Sequence, residues 1–428
     1  MLRTINDRVY GEIAVSGVAS RLLSNKWLVR LDYIRQLGAC SFVYPSATHT
    51  RREHSIGVYH VAGIMASHIR QYMPSITDED IELVRIAGLL HDVGHGPFSH
   101  MYESFWKDRG ERWCHEEQTM RILADDIMSE IYDVRKWTHT VVQNLAFLRG
   151  LITGTVQACT GRDISVVCAL LGVVHSDAGV DADRIDYLLR DTLCVFGSTH
   201  TVDAMRIIHS IRIVDGYIAF DQKVSLSIQQ LFELRTRLHR QVYQHRDVLV
   251  VETLIKAHMD TLVLPAESLS EFCDLTDTEI LKGAPHHRLH QYPRMYRVPI
   301  DLVVPTSSLC PCGYEFLNVG SFCPMCGVPE ENSYHPPVNL TGVMATEHAR
   351  LTLGVTDMHV LISDVTHGSL CDVPFHNGMG QRYTVTDNGG RPARYHLRTV
   401  YCYTETPYTT TDLGERTTDA LTELWKRV

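Results

Sequence analysis

The ten residues HDVGHGPFSH, from His91 to His100, constrain this chain more than any other segment. They contain an adjacent His-Asp pair, two further histidines and two glycines. His54 precedes them in the segment RREHS, and Asp183 follows them in DADRIDY. Imidazole and carboxylate groups from distant segments can bind one divalent metal ion when a fold brings them together. We therefore expect a fold that gathers the pair, the upstream histidine and the downstream aspartate at a metal site, whose mixed donors suit Fe, Mn, Zn or Mg.

Helical spacing surrounds the first of these residues. Apolar residues recur at steps of three and four between residues 54 and 72, which predicts a helix with His54 at its start. Thr77 and the three acids after it predict the N-terminus of a second helix. That helix would run from Ile81 to His91, so that the His-Asp pair lies at its C-terminal end.

The two glycines of the motif follow the end of the second predicted helix. Gly94 and Gly96 stand on either side of His95. Glycine permits tight backbone conformations that other residues avoid. We expect these glycines to turn His95 and His100 back toward the cleft of the metal site.

Further helical patterns follow. The apolar run from Val166 to Val174 predicts a buried helix. Steps of four that begin at Asp183 predict another helix, with Tyr187 and Asp191 on the same face. The stretch from Ser227 to Leu262 predicts a single long helix. The fold class that we expect is therefore mainly α, built by packing amphipathic helices.

The character of the sequence changes after residue 263. We place a helical domain at residues 1–263 and a smaller α+β region at 264–428. Two short cysteine pairs in that region, each followed by glycine, are typical of a four-thiolate structural zinc site of the ribbon or knuckle type. The four cysteines are Cys310, Cys312, Cys323 and Cys326. Because the first pair has one intervening residue instead of two, four unrelated thiols are the alternative.

Strand and helix patterns complete this region. Residues 383–386 and 395–403 have the composition of strands, and the segment DNGG at 387–390 is typical of a hairpin turn. These residues predict a β-hairpin. Residues 413–428 predict a closing helix.

The composition indicates which cellular compartment and which classes of partner to expect. The chain has 428 residues, 44% of them hydrophobic, and a formal net charge of −10, which argues against a general nucleic-acid-binding surface. It has no apolar run long enough to span a membrane, and its N-terminus lacks the apolar core of a signal peptide. Its twelve cysteines are mostly scattered, which fits a reducing compartment. We expect a cytoplasmic or nuclear protein.

Residues near the predicted metal site offer the groups that phosphoester cleavage requires. A bound divalent cation lowers the pKa of a water ligand, and cleavage also needs cations for the phosphates and an acid for the leaving oxygen. The candidate cations are Arg51, Arg184 and Arg235. The candidate acids or phosphate donors are His95, His100 and His115. Glu103 and Glu116 could orient those histidines, whereas Asp181 and Asp186 are expected to be solvated or capping acids.

These motifs resemble the HD-domain phosphohydrolases. Within that family, the chain is most similar to the deoxynucleoside-triphosphate (dNTP) triphosphohydrolases that carry a sterile-alpha-motif domain in animals. The resemblance runs in order from Ile5 to His245, and its most specific segment is His91–Met101. We see no sterile-alpha-motif domain, because Ile5-Asn6-Asp7 already resembles the start of the catalytic domain.

The resemblance implies hydrolysis at the α-phosphorus, which gives a deoxynucleoside and inorganic triphosphate. The metal ligands it implies are His54, His91, Asp92 and Asp183. The residues it implies along the α-phosphate are His95, His100, His115 and Glu116, with His100 as the proton donor. Those it implies for the triphosphate and sugar are Arg51, Arg184, Tyr187, Asp191 and Arg235. Gln36 and Leu37 match residues beside the sugar 3′-hydroxyl and the base, and Tyr243 matches an aromatic residue that packs on the deoxyribose. A substrate-bound Mg and a homo-oligomer are also implied.

Some positions depart from the family pattern. Arg184 stands where the family usually has lysine, and Glu103 stands where it has aspartate. The animal enzymes bind guanine nucleotide at a second site, through an Asp, a Gln and an Arg in the helix before Gln36. The corresponding residues here are Ser24, Val29 and Asp32. Because Asp32 puts an anion where a cation would hold a phosphate, we expect that switch to be absent or rebuilt.

Two other functions remain open. One is an HD phosphohydrolase that acts on another nucleotide or phosphoester. The other is a catalytically silent HD-fold protein with a structural or nucleic-acid-binding role, which the predicted zinc element would favour. The matches at Tyr187, Asp191 and Tyr243 favour deoxynucleoside triphosphates over another substrate, and the complete ligand set with its neighbouring histidines argues against a silent protein.

Overall fold

The structure is a computed structural model that describes the larger part of the chain. The described residues are 3–129, 131, 139–156, 162–176, 179–197, 202–265, 268–284, 286, 288–290, 295–305, 358–367, 374–376, 382–384 and 395–404. The chain divides into two compact units. The first comprises Met1–Leu234, Ile255–Ala284 and Leu370–Thr386, and the second comprises Arg235–Leu254, Pro285–Ser369 and Asp387–Val428. The predicted domain boundary after residue 263 lies within Ile255–Ala284, which belongs to the first unit. This boundary stays a prediction.

Helices make up most of the first unit. They are Gly17–Leu22, Lys26–Arg30, Arg51–Arg70, Asp78–Leu90, His100–Lys107, His115–Ile122, Val141–Thr153, Ile164–Val174, Ala182–Phe196, Ala204–His209, Leu269–Asp274 and Asp277–Leu281. Two more helices, Ser225–Leu238 and Arg246–Met259, contribute to both units. The expected mainly helical fold is thus confirmed.

Capping residues fix where the helices of the site begin. The Thr77 hydroxyl accepts a hydrogen bond from the amide of Asp80, whose carboxylate accepts one from the Thr77 amide in return. This reciprocal capping box satisfies two amides that the first helical turn leaves unpaired. Asp181 caps the helix Ala182–Phe196 by accepting from the amide of Arg184, as expected of a capping acid.

The predicted apolar stripe of the helix Arg51–Arg70 forms the centre of the helical core. Its members, all at most 1% exposed, are Val58, Val61, Ala62, Met65 and Ile69. This helix packs against Asp78–Leu90 and against Ala182–Phe196. Burying each large aliphatic side chain contributes roughly 1.5–3 kcal/mol, so this contact holds the three helices firmly together.

Strands form three small sheets. The strands are β1 (Arg3–Asp7), β2 (Gly11–Val15), β3 (Ile211–Val214), β4 (Tyr217–Asp221), β5 (Met295–Pro305), β6 (Met358–His367), β7 (Pro374–His376), β8 (Arg382–Thr384) and β9 (Tyr395–Thr404). In the first unit, β1 and β2 form a hairpin, and a second sheet has the order β3-β4-β7-β8. In the second unit, β9 lies between β5 and β6 and is antiparallel to both.

Two predictions of regular structure were wrong. The stretch from Ser227 to Leu262 is not one helix, because a π-helical turn at His239–Tyr243 separates the helices Ser225–Leu238 and Arg246–Met259. The residues at 383 and 395–403 do lie in strands, but they do not form a hairpin. Strand β8 pairs with the strand that precedes it, β7, and β9 pairs with β5 and β6, which lie further away in the sequence.

Other predictions fall on residues outside those described. They are the four cysteines at 310–326, the turn at 387–390 and the closing helix at 413–428. Among the described helices, none has the length and apolarity that crossing a membrane requires.

Candidate active site

Three helices of the first unit bring the predicted metal ligands together. His54 lies in the first turn of Arg51–Arg70, His91 caps the end of Asp78–Leu90, and Asp183 lies in the first turn of Ala182–Phe196. The Nε2 atom of His54 lies 3.0 Å from Asp183 Oδ1, and that of His91 lies 3.6 Å from the same oxygen. Asp92 Oδ1 lies 3.3 Å from His91 Nε2. We call these four residues the inner cluster.

Hydrogen bonds to the far side of each ring determine which nitrogen faces the cluster. Nδ1 of His91 lies 2.8 Å from the carbonyl oxygen of Gly88, which can only accept, so this nitrogen carries a proton. In a neutral ring Nε2 is then a bare acceptor, and this buried atom has no hydrogen-bond partner. An acceptor that faces two carboxylates is stabilised by positive charge between them. The donor set therefore fits a divalent cation.

A buried aspartate orients His54 in the same way. Asp186 Oδ2 lies 2.8 Å from His54 Nδ1, and both Asp186 oxygens accept hydrogen bonds from Arg190 at 2.9 Å. Arg190 also donates to Asp7 at 2.9 Å. Asp186 is fully buried, so the expectation that it is a solvated or capping acid was wrong. Gly57 makes the arrangement possible, because a Cβ atom there would overlap Asp186 and Arg190.

The charges of the inner cluster favour bound cations or protons. Burial alone would lower the pKa of His54, but hydrogen bonds with Asp183 and Asp186 outweigh it and raise the pKa to about 10. Burial would raise the pKa of Asp183, but the hydrogen bond with His54 and the nearby ring of His91 lower it. Three carboxylates thus surround two imidazole rings in a space that attracts positive charge.

Arg51 contacts residues of the protein in the structure, whereas its predicted role is to contact a triphosphate. It is 2% exposed, and its guanidinium contacts the carboxylate of Asp92 and donates to the Ser99 hydroxyl at 2.7 Å. It therefore balances the charge of Asp92, a predicted metal ligand. Its expected contact with a triphosphate remains a proposal.

A second group of histidines, the outer cluster, lies beside the inner one. It consists of His95, His100 and His115 with Glu103. The rings of His95 and His115 stack with centroids 3.8 Å apart, and the His100 ring packs edge-on to His95 at 5.0 Å. His95 Nε2 lies 3.3 Å from Asp92 Oδ1, which joins the two clusters.

Glu103 organises the outer cluster. One of its oxygens lies 2.6 Å from His115 Nδ1 and accepts from the His115 amide, and the other lies 3.2 Å from His100 Nδ1. Burial would raise the pKa of Glu103, but the hydrogen bonds with His100 and His115 outweigh it and lower the pKa strongly. The carboxylate is therefore an anion whose charge can compensate an imidazolium ring.

The outer cluster suits an anion better than a second metal ion. One nitrogen of each of the three rings lies within 4.8 Å of the others, a spacing that a metal ion could also use. However, the rings of His95 and His115 lie in nearly parallel planes 3.8 Å apart, whereas the rings that bind one metal ion converge on it. The His100 side chain is 73% exposed, so it can meet a ligand from solvent. An imidazolium ring held by Glu103 on one nitrogen can donate its other N–H to a phosphate oxygen. Glu116, expected beside the phosphate, is exposed and accepts from the thiol of Cys114 at 2.7 Å.

The backbone turn of the motif differs from the expected one. The residues with left-handed backbone are Phe98, with φ of 56°, and Ser99, with φ of 62°, and not Gly94 or Gly96. The glycines serve close packing instead, since a Cβ atom on Gly96 would overlap the ring of Tyr102. Left-handed conformations are unfavourable for residues with a side chain, so surrounding contacts must hold this turn.

The remaining predicted substrate residues have varied surroundings. Gln36 presents a buried side-chain oxygen that has no hydrogen-bond partner, which suits a substrate hydroxyl, and Leu37 follows it half-buried. Asp191 is 1% exposed and lies 2.8 Å from His49 Nε2. Arg184 donates to Asp181 and to the Ser176 carbonyl.

Three further predicted residues concern the sugar and the triphosphate. Tyr187 lies half-buried on the helix Ala182–Phe196, between the positions of Asp183 and Asp191. Arg235 and Tyr243 belong to the second unit, and their predicted roles stay predictions.

The sequence-based prediction did not identify the Asp186–Arg190 pair that holds the ring of His54. Asp186 and Arg190 are four residues apart on a helix whose neighbouring positions Ile185, Leu188 and Leu189 are apolar. An acid and a base at that spacing form a pair. Their place among buried positions was the signal for an internal ion pair rather than a solvated one.

Part of this chain matches the model of a known protein family. The family model described as "HD domain" matches residues 51–144. The match includes His54, both residues of the His91-Asp92 pair and the whole outer cluster. Asp183 lies beyond it.

Several similar curated proteins are named as SAMHD1 triphosphohydrolases or as a homolog of them. The "Deoxynucleoside triphosphate triphosphohydrolase SAMHD1 homolog" of Dictyostelium discoideum is 32% identical over 290 residues, which cover 64% of this chain and 54% of that protein. The SAMHD1 proteins of Gallus gallus and Homo sapiens are 31% and 30% identical over 274 residues, which cover 60% and 59% of this chain and 44% of each relative. The chain spans about half the length of these relatives.

Proposed function

We propose, from the HD domain at residues 51–144 and from homology to the SAMHD1 triphosphohydrolases, that this chain hydrolyses deoxynucleoside triphosphates to deoxynucleosides and inorganic triphosphate. The reaction class, phosphoester hydrolysis, follows from the HD domain. The substrate class is taken from the relatives and is the finer part of the proposal.

One observation supports the proposal above all others. The inner cluster, in which His54, His91 and Asp183 could hold a metal ion, lies directly beside the three histidines of the outer cluster, whose N–H groups could donate to a phosphate. Hydrolysis of a phosphate ester requires both kinds of group. The phosphate charge must be neutralised, the attacking water must lose a proton, and the leaving oxygen must gain one.

The inner cluster would hold a divalent cation through His54, His91, Asp92 and Asp183. Such a cation supplies Lewis-acid polarisation of a phosphate oxygen and acidifies a water molecule. Asp186 keeps Nδ1 of His54 hydrogen-bonded, so that Nε2 remains the ligand atom. The mixed donors leave Fe, Mn, Zn and Mg as candidates.

The outer cluster would bind the phosphate and manage protons. His95 and His115 would line the α-phosphate, and Glu116 would support them. His100, the most exposed ring of the cluster, would donate a proton to the leaving 5′-oxygen of the deoxynucleoside. Glu103 would keep the rings of His100 and His115 oriented throughout.

The rest of the substrate would meet residues around these clusters. Gln36 and Leu37 would lie near the sugar 3′-hydroxyl and the base. The residues proposed for the triphosphate and the sugar are Arg51, Arg184, Tyr187, Asp191, Arg235 and Tyr243. Because Arg51 and Arg184 both have internal carboxylate partners, we expect substrate to compete with those partners.

Hydrolysis of another nucleotide or phosphoester is the second candidate. The observation that favours it is the pairing of Arg184 with Asp181, which leaves this arginine engaged within the protein. The absence of turnover altogether would favour a binding protein with an HD fold.

Product analysis tests the proposal. Purified protein is incubated with each of the four deoxynucleoside triphosphates, with Mn or Mg, and with or without GTP, and the products are separated by ion-exchange chromatography. Deoxynucleoside together with intact triphosphate is the expected result, and indifference to GTP is expected from Ser24, Val29 and Asp32. Release of orthophosphate with a diphosphate, or of pyrophosphate with a deoxynucleoside monophosphate, would contradict cleavage of the bond between the α-phosphorus and the 5′-oxygen. The matched control is His91→Ala, which should release neither product.

A further inference from the structure

One buried carboxylate outside the matched HD region links two segments of the site. Asp277 is 5% exposed and begins the helix Asp277–Leu281. Its Oδ1 atom accepts a hydrogen bond from the amide of Phe98 at 2.7 Å, and its Oδ2 atom accepts one from the amide of Arg35 at 2.9 Å. The two amides come from segments that are distant in sequence, so this single side chain joins them.

Each of these amides belongs to a segment that carries proposed substrate contacts. Phe98 is the first of the two residues with left-handed backbone, and it lies between His95 and His100. Arg35 directly precedes Gln36 and Leu37. The first segment would bind the phosphate, and the second would bind the sugar and the base.

A second set of hydrogen bonds links the residues just before Asp277 to the backbone of the histidine segment. Arg30 is 3% exposed, and its guanidinium donates to the carbonyl of His95 at 2.7 Å and to the carbonyl of Leu275 at 2.8 Å. The residues just before Asp277 are thereby tied to the backbone on which His95 is mounted. Ser99 adds a bond between the two segments, since its hydroxyl donates to the Arg35 carbonyl at 2.7 Å.

We propose that Asp277 is a positioning residue that fixes the distance between the phosphate-binding segment and the sugar-binding segment. It does not touch substrate in this proposal and acts through the backbone of Phe98 and Arg35. Its effect on turnover rests on the proposed function, whereas its effect on the two segments does not.

A carboxylate is the side chain that this position requires. Each of its two oxygens receives one amide proton, so both buried donors are satisfied by one group. Asparagine has nearly the same shape but only one oxygen, and its NH2 group would face an amide N–H. Asp277→Asn therefore leaves one buried donor without a partner at little change in volume.

Hydrogen exchange measures the link directly. In the wild-type protein, the amides of Arg35 and Phe98 should exchange at least tenfold more slowly than exposed amides of the same segments. In Asp277→Asn, exchange at residues 35–38 and 95–100 should accelerate about tenfold, while exchange in the helix Arg51–Arg70 stays unchanged. The control is Asp274→Asn, which makes the same charge change at an exposed position of this region and should alter neither segment.

Kinetics and metal content test the consequence for function. We expect Asp277→Asn to lower kcat for a deoxynucleoside triphosphate about tenfold and to raise KM several-fold, because both segments shift, with the amount of bound metal unchanged. If the wild type hydrolyses no deoxynucleoside triphosphate, the proposed function fails but the exchange result still decides whether Asp277 links the segments.

Three results would overturn the proposal. One is unchanged exchange in both segments of folded Asp277→Asn. Another is faster exchange throughout the first unit, which would make Asp277 a general stabilising residue. The third, which needs no variant, is wild-type exchange at Arg35 and Phe98 as fast as at exposed amides. That measurement decides the matter even if the asparagine variant does not fold.

Discussion

The inner and outer clusters use the same side chain for opposite purposes. In the inner cluster, His54 and His91 lie among the carboxylates of Asp92, Asp183 and Asp186, which attract positive charge to the space between them. In the outer cluster, Glu103 contacts His100 and His115, and the ring of His95 stacks on that of His115. The first therefore attracts a cation and the second an anion. The number of carboxylates around a histidine, rather than the histidine itself, determines which ion it serves.

Burial differs most between His54 of the inner cluster and His100 of the outer cluster, whereas His95 is as buried as His54. The His54 side chain is 1% exposed, and the His100 side chain is 73% exposed. A metal site benefits from ligands whose positions do not change, whereas a substrate must enter and leave. The helices provide the first kind of surroundings, and the turn that leads into His100–Lys107 provides the second.

Alanine substitutions in the two clusters should have the largest and most different effects. His91→Ala should lose its bound metal and reduce hydrolysis roughly a thousandfold or more, because a ligand is removed. His115→Ala should keep the metal and lose roughly a hundredfold in kcat, since it removes a phosphate contact. Elemental analysis of the purified variants and single-substrate kinetics provide the two measurements. Full metal content in His91→Ala would mean that the inner cluster is not the metal site.

Replacing the carboxylate that holds the histidines of each cluster should again affect the two clusters differently. The changes should be smaller than those of the alanine substitutions. Asp186→Asn should weaken metal affinity about tenfold to a hundredfold, because His54 loses the partner that fixes its ring. Glu103→Gln is the matched variant in the outer cluster and should leave metal affinity as it is. Competition with a chelator, on variants whose circular dichroism matches the wild type, measures both affinities. Equal losses in the two variants would contradict the separation of roles.

The smallest expected effect concerns stability and pH. The pKa of Glu103 is lowered in the folded state, so its ionised form stabilises the protein above the pKa of the unfolded state and this stabilisation is lost as the pH falls below that value. Glu103→Gln should therefore cost about 1–2 kcal/mol in the free energy of unfolding at pH 7. The difference from wild type should shrink below a pH of about 4.5. Urea unfolding at several pH values tests this, and a difference that is constant with pH would argue against an ionised Glu103.

The helical frame could be predicted from the sequence because it depends on local patterns, whereas the grouping of His54, His91, Asp92 and Asp183 as metal ligands came from the resemblance to the HD-domain phosphohydrolases and stays a prediction. The spacing of Val58, Val61 and Met65 predicted the helix that carries His54, and Thr77 marked the start of the next helix. The His91-Asp92 pair then had to lie at a helix end. In each case, residues a few positions apart contain the relevant information.

Features that depend on contacts between distant segments could not be predicted in this way. Asp186 looked like a solvated acid because one of its partners, His54, lies on another helix, which meets the helix of Asp186 and Arg190 at Gly57. The left-handed backbone at Phe98 was unexpected because the carboxylate that supports it lies at position 277. Strand β9 was assigned to the wrong partner because its neighbours come from other parts of the chain.

The π-helical turn at His239–Tyr243 changes the angular register of its helix. In a regular α-helix, each residue rotates by about 100°, so position 243 would lie about 80° around the axis from position 235. A π turn is wider and rotates less per residue, which brings Tyr243 back toward the line of Arg235. The edge-on packing of the His239 and Tyr243 rings, with centroids 4.9 Å apart, agrees with this alignment. One extra residue in a turn thus directs an arginine and an aromatic ring, two turns apart, toward the same side of the helix.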